Sequence, residues 1–374
     1  MKYYLISGEA SGDLHGANLM KSLKREDKKA EFRFFGGDLM QSQGGTLVKH
    51  YSEMAFMGFV EVLANVGTIY KNLGKAKQDI LSFNPDAIIL IDFPGFNLKI
   101  ASFAKKQGIK VLYYISPKVW AWNPKRVLNI KKVVDRMFCI LPFEVDFYKR
   151  WGMDVDYVGN PLMDAIEDNE QDDQFKLKYN LDLRPVVALL PGSRMQELNK
   201  ILPVMITVAD RFPEYQFVIA GAPGFKKDVY NPFLKGRKIP VIFNNTYNLL
   251  TNSRAAVVTS GTATLETAIL KIPQVVVYKG NSISVGIARL LVKIKFISLV
   301  NLIMNEEIVK EFIQEDCNTE KIAEELDLIL HDPLYRTRIL INYDELSDKI
   351  GEPGASMRTA KLMICYLRPH EIDL

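Results

Sequence analysis

Short, nearly continuous apolar runs recur along the chain, separated by stretches whose hydrophobic positions return at helical spacing. The first half carries "YYLIS", "FRFFG", "AIILID", "KVLYYIS", "RMFCIL" and "VDYVG"; the second carries "VVALLPGS", "FVIAG", "VIF", "AAVVTSG" and "QVVVYK". Apolar residues on both alternating faces suit strands covered on both sides, and strands alternating with helices predict parallel sheets. With 374 residues, more than one hydrophobic core usually serves, the pattern predicts two doubly wound α/β domains. After "VGNPLMDAI" the composition turns acidic and polar in "EDNEQDDQFKLKYNLDLRP". A first domain is therefore expected over 1–163, a linker over 164–185, a second domain over 186–345, and a helical segment over 346–374. That last segment, broken at Gly351–Gly354, is open to capping its own domain, crossing back to the first, or exchanging with another subunit of a homodimer.

Open α/β sheets bind ligands beyond the carboxyl ends of their strands, so the chemistry is expected in strand-following loops that face a cleft between the domains. The first such loop, "GEASGDLHG", lacks the spacing of a P-loop and that of a dinucleotide fold. It offers close backbone approach at Gly8 and Gly12, free amides at a helix start, and the polar groups of Glu9, Ser11 and Asp13. Turn formation, helix packing and a helix-terminal charge are the plainer uses of Gly12 and Asp13. In "LIDFPGFN", Asp92 closes a strand, where partial desolvation raises a carboxylate toward the pKa of a useful general base. A turn or capping aspartate is the alternative.

The second half repeats the strand, glycine, hydroxyl order twice. "LLPGSRMQEL" brings Gly192, Ser193 and Arg194 to a helix start, a suitable cradle for a diphosphate. "TSGTATLETA" brings Ser260, Gly261, Thr262 and Thr264 to another, with Glu266 placed to accept two ribose hydroxyls. Helix caps and a surface glutamate are the competing uses, but two anion cradles in one domain favour a nucleotide.

Charge and composition refine this picture. The net charge of +4 is too mild for a dedicated nucleic-acid binder. Between Lys105 and Arg136, however, cations interleaved with Tyr113, Tyr114, Trp120 and Trp122 face one acid, Asp135. Such a stretch suits phosphate groups or an anionic membrane surface, and equally a solvated helix face. No apolar run is long enough to span a bilayer and no leader is visible, so membrane contact is expected to be peripheral. "YSEMAFMGFVEVLANVG" is too densely apolar for one buried stripe, and Phe56, Met57, Phe59 and Val60 are candidates for an acyl-chain or membrane surface; an ordinary buried helix is the alternative. Three scattered cysteines and four histidines show neither disulfide nor metal spacing, which fits a reducing cytoplasm. Asp154 and Asp156 form a weak Asp-x-Asp, so no metal and no cofactor are expected.

Taken in order, "GEASGD", "MGFVEVL", "PKVWAWNPKRV", "LPFE", "LLPGSR", "SGTATLE" and "SLVNLI" resemble the lipid-A-disaccharide synthase family over nearly the whole chain. The resemblance implies a GT-B fold: two Rossmann-like doubly wound parallel-sheet domains facing an interdomain cleft. It implies inverting, metal-independent transfer of 2,3-diacylglucosamine from UDP-2,3-diacylglucosamine to 2,3-diacylglucosamine 1-phosphate, at the cytoplasmic face of the inner membrane. The base falls on Asp92, the cleft loop on Glu9, Ser11 and Asp13, and the diphosphate contact on Arg194. Glu266 falls in the UDP site, and Asn301 of "SLVNLI" near the nucleotide. Gly95, Asn160 and Val300 depart from residues common in the family (an acid, a histidine and a proline), which puts details of the site in question. A UDP-N-acetylglucosamine 2-epimerase and a non-catalytic UDP-sugar or lipid binder are the competing functions; a placed base at Asp92 has no use in the latter.

Overall fold

Where β-branched and aromatic residues run without polar interruption, the chain extends and is sealed from water. Ala87–Ile91 and Val186–Leu190 are buried at every position, as helices on both faces of a sheet require. A computed structural model describes residues 1–54, 66–280 and 295–368. Phe56, Met57, Phe59 and Val60 lie outside the described residues. The chain divides into two compact units: Met1–Asp164 with the chain from Glu352 onward, and Ala165–Gly351.

The sheet of the first unit comprises β1 (Lys2–Ile6), β2 (Glu31–Gly36), β3 (Thr46–His50), β4 (Ala87–Ile91), β5 (Lys110–Tyr114), β6 (Arg136–Cys139) and β7 (Asp156–Tyr157). All pairs are parallel and the spatial order is β3-β2-β1-β4-β5-β6-β7. The second sheet comprises β8 (Val186–Leu190), β9 (Gln216–Gly221), β10 (Val241–Phe243), β11 (Ser253–Thr259), β12 (Gln274–Tyr278) and β13 (Glu311–Ile313). It is again all parallel, in the order β10-β9-β8-β11-β12-β13. Strand order reverses between β1 and β4 in one unit and between β8 and β11 in the other. A doubly wound sheet opens its ligand crevice at such a switch point. The loops that follow these four strands are the ones the sequence singles out.

Alternation along the strands sends Tyr4, Ile6, Ile88, Leu90 and Tyr113 into one core of the first unit and Tyr3, Leu5, Ile89, Ile91 and Tyr114 into the other. Ala360 and Met363 of the helix Ala355–Leu367 complete the second of these cores, so the C-terminal segment returns to the first unit of its own chain. Its entry is pinned by Asp164, whose carboxylate accepts the N–H groups of Gly354, Ala355 and Ser356 at 2.5, 3.2 and 3.3 Å.

The stretch expected as a linker over 164–185 is packed rather than free. Phe175 is fully buried in the core of the second unit. Asn248 accepts the N–H of Asp172 at 2.9 Å and donates to the carbonyl of Glu170 at 3.1 Å. The acidic composition marks the change of unit, but Phe175, Tyr179 and Leu181 anchor the segment. Among the described residues no helix is long and apolar enough to cross a membrane.

Candidate active site

Asp92 and Phe93, directly after β4, both adopt left-handed backbone with φ of 44° and 48°. Such geometry costs a non-glycine residue roughly 1–2 kcal/mol and persists only where neighbours impose it. Here the Asn97 amide donates to the carbonyls of Asp92, Ile91 and Ile6 at 2.7, 3.2 and 3.3 Å. The hydroxyl of Tyr113 donates to the Asp92 carbonyl at 2.5 Å, and the Asp92 N–H donates to Tyr114 at 3.1 Å. A Cβ on Gly8 would stand 2.4 Å from the Phe93 ring, so glycine is what lets the loop after β1 close against the loop after β4. Burial raises the Asp92 carboxyl above the usual carboxylate range; the Lys118 cation pulls it down, the Glu9 carboxylate pushes it up, and the Phe93 N–H pulls it down. Asp92, Glu9 and Lys118 thus share one electrostatic neighbourhood. Sequence reasoning named the first two and left Lys118 among the surface cations.

The other residues of the first loop separate by duty. Ser11 is exposed, while Gly12 packs so tightly that a Cβ there would meet that of Ser7 at 2.9 Å. Asp13, expected at the cleft, is buried, and its carboxylate accepts the N–H groups of Gly37, Leu39 and Met40 at 2.7, 3.0 and 3.1 Å. It caps the short helix Asp38–Ser42, whose own N-cap, Gly37, has no side chain to do so. That duty leaves Asp13 with its oxygens already committed. Asp156, of the weak Asp-x-Asp, is likewise taken: its carboxylate grips the Arg136 guanidinium at 2.7–3.0 Å.

Glu144 is a residue the sequence reading passed over. In "LPFE" it starts the helix Phe143–Arg150, is 1 % exposed, and accepts from the Ser116 hydroxyl at 2.5 Å, the Trp120 indole at 3.1 Å and the Leu141 N–H at 3.1 Å. It therefore holds both ends of the turn that carries Lys118. Burial pushes its carboxyl up to about 7, against the pull of these donors. The folded chain then binds this proton more tightly than the unfolded one. Its contribution to stability falls as pH rises from the ordinary carboxylate range through about 7, by roughly 3 kcal/mol. Urea unfolding of wild type and Glu144→Gln at pH 5 and pH 8 should show the wild type's relative stability dropping by about that amount at the higher pH. An unchanged difference would mean that Glu144 titrates as an exposed carboxylate does.

In the second unit, Gly192 takes φ of 98°, and the N–H groups of Ser193 and Arg194 point at one carboxylate oxygen of Glu197, at 3.1 and 3.3 Å. The amide cradle expected for a diphosphate exists, but here an internal anion fills it. A ligand phosphate using these amides must displace Glu197. The Arg194 side chain is 61 % exposed, with its guanidinium 3.8 Å from Glu197.

Around the helix Thr262–Ile269, Gly261 and Thr262 are exposed. Ser260 donates its hydroxyl to the Ile297 carbonyl at 2.8 Å. Thr264, expected to meet UDP, is fully buried and donates to the Gly261 carbonyl at 2.8 Å, which turns its hydroxyl inward. Glu266 accepts from the Tyr247 hydroxyl at 2.9 Å, and burial raises its carboxyl despite that bond.

Asn301, expected near the nucleotide, is also fully buried. Its amide oxygen accepts the N–H groups of Ile308 and Val309, and its nitrogen donates to the Val309 carbonyl and to Glu311. All its hydrogen-bonding capacity goes into the turn leading to β13. Among the described residues, no group of three or more His, Cys, Asp or Glu side chains is placed to hold a metal ion.

The family model described as lipid-A-disaccharide synthetase matches residues 3–354. The lipid-A-disaccharide synthase of Geobacter sulfurreducens is 38% identical over 367 residues, covering 96% of each chain. Among solved structures, the UDP-GlcNAc 2-epimerase from Neisseria meningitidis bound to UDP-GlcNAc superposes with a TM-score of 0.69 at 13% identity, covering 99% of this chain and 100% of that one. The kitacinnamycin glycotransferase gives 0.66 at 13% identity, covering 98% and 99%. At such identities the likeness is one of fold: the paired parallel-sheet α/β domains of GT-B proteins.

Proposed function

This chain belongs to the lipid-A-disaccharide synthase family, a family of glycosyltransferases in lipid A biosynthesis, and from that premise we propose its substrates and the division of labour in its site. The donor is UDP-2,3-diacylglucosamine and the acceptor 2,3-diacylglucosamine 1-phosphate. The products are the β-1,6-linked disaccharide 1-phosphate and UDP. The placement of Asp92 carries this reading: a carboxylate with a raised pKa, locked at the switch point of the first sheet by contacts to its backbone. A binding protein has no use for a base held at such conformational cost.

Asp92 takes the proton of the acceptor 6-hydroxyl as that oxygen attacks the anomeric carbon, and the bond to UDP breaks on the opposite face with inversion. Negative charge grows on the β-phosphate as it leaves. Arg194 and the loop amides at Ser193 stabilise that charge more in the transition state than before it, which makes a metal unnecessary. Glu266, steadied by Tyr247, accepts from the ribose hydroxyls. The enzyme works at the cytoplasmic face of the inner membrane as a peripheral protein.

An assay of the wild type with both substrates in EDTA tests the reading. Disaccharide and UDP formed without added metal are expected. No disaccharide from folded protein, or turnover of UDP-N-acetylglucosamine with no acceptor present, would overturn it.

A further inference from the structure

Wholly within the first unit, the helices Val66–Phe83 and Pro94–Lys106 and the chain at Arg126–Asn129 wall a cavity of about 560 Å³. Among the described residues three cations line it, Lys77, Lys99 and Arg126, and no carboxylate does. Several other cations of this unit are ion-paired, among them Arg33 with Asp79, Lys49 with Glu53, Lys105 with Asp135 and Arg136 with Asp156. Among the described residues none of the three cavity cations makes an ion pair. Each lies over an aromatic ring instead: Lys77 5.5 Å from the centre of Phe103, Lys99 5.1 Å from that of Tyr70, and Arg126 4.5 Å from that of Trp122. Rings fix the cations without neutralising them. Like charges gathered around one cavity repel until an anion enters.

We propose that this cavity binds the phosphomonoester of the acceptor sugar. This rests on the transferase reading above and gives its acceptor a second point of attachment. Three features select this anion. Pro94 and Gly95, in the cavity wall, follow Asp92 directly after Phe93, so one wall of the cavity starts on the same turn as the base. The acceptor's reacting hydroxyl and its phosphate sit on one sugar ring and must be held close together. Leu73, Leu98 and Pro94 supply apolar wall beside the charges, which suits a phosphate on an acylated body rather than a free ion. A phosphomonoester near its full charge, presenting three acceptor oxygens, matches three separate cations better than a phosphodiester headgroup of the bilayer does.

The double variant Lys77→Met, Lys99→Met keeps the apolar stems and removes two charges. With 2,3-diacylglucosamine 1-phosphate its KM should rise about 10- to 100-fold, the range for lost charge-assisted hydrogen bonds. The KM for the UDP donor and kcat at saturation should stay unchanged, and dephosphorylated 2,3-diacylglucosamine should serve wild type and variant equally. An equal loss on both acceptors, or none on either, overturns the proposal. So does a variant that loses only its sedimentation with phosphatidylglycerol vesicles, because the cations then serve the membrane. Equilibrium dialysis of the acceptor without donor separates this proposal from its premise. Wild type that binds the phosphorylated acceptor but makes no disaccharide, beside a variant that binds none, upholds the cavity and sinks the transfer reaction. Normal turnover with unchanged binding in the variant does the reverse.

Discussion

Asp92→Asn is expected to lower kcat by about 100- to 10,000-fold, the usual contribution of a positioned general base. The substitution is close to isosteric, and the structure shows why it should leave the fold intact. The groups that lock this turn, Asn97, Tyr113 and Tyr114, hold the backbone of Asp92 and not its carboxylate. Unfolding midpoints should therefore stay near wild type while turnover collapses. The pH profile of kcat/KM gives an independent reading. Because burial raises the Asp92 carboxyl, the acid limb of activity should lie above the ordinary carboxylate range. Lys118 favours the charged form, so Lys118→Met should move that limb to higher pH; Glu9 disfavours it, so Glu9→Gln should move it lower. Asp92→Asn with wild-type turnover, or both limbs unmoved, would remove Asp92 from the role of base.

Arg194→Met is the second large effect expected: a loss of about 100- to 1,000-fold in kcat, as when one preorganised donor to a developing anion is removed. The guanidinium is largely exposed and stands 3.8 Å from the Glu197 carboxylate. A substitution there should change stability by no more than about 0.5 kcal/mol. On the proposed mechanism Arg194 serves the leaving diphosphate, so single-turnover rates should fall far more than donor affinity does. Glu197→Gln makes the matched comparison, since Glu197 is the anion now seated on the Ser193 and Arg194 amides. Removing its charge should tighten UDP binding, and Arg194→Met should weaken it. Normal kcat in Arg194→Met would assign the leaving-group charge to other groups.

What could be read from the chain, and what could not, divides along sequence distance. The strands were legible because burial on both faces leaves an unbroken apolar run, as in Ala87–Ile91 and Val186–Leu190. The loops that flank both switch points were legible because glycine, proline and hydroxyl residues must follow strands that feed helices there. Asp92 showed itself as a carboxylate ending a buried strand. Duties set by distant partners were hidden. Asp13 is drawn away to amides 24 to 27 residues on, Glu144 to Ser116 28 residues back, and Asp164 to Gly354 190 residues on. Asn301 and Thr264 carry the polar groups a nucleotide site would use, yet both are sealed inside. A hydrogen-bonding side chain looks the same in sequence whether its partner is a ligand or a backbone turn.

By itself, then, the sequence determined the two-unit parallel α/β class and the four loops at the strand ends, because both follow from local periodicity and turn chemistry. The tertiary structure decided which loop side chains remain free to act. It also decided that the C-terminal helix returns to the first unit, that Glu197 occupies the Ser193 and Arg194 amides, and that three cations of separate segments share one cavity. Each of these depends on which remote groups compete for the same charge or amide, and only the folded chain brings those competitors within reach.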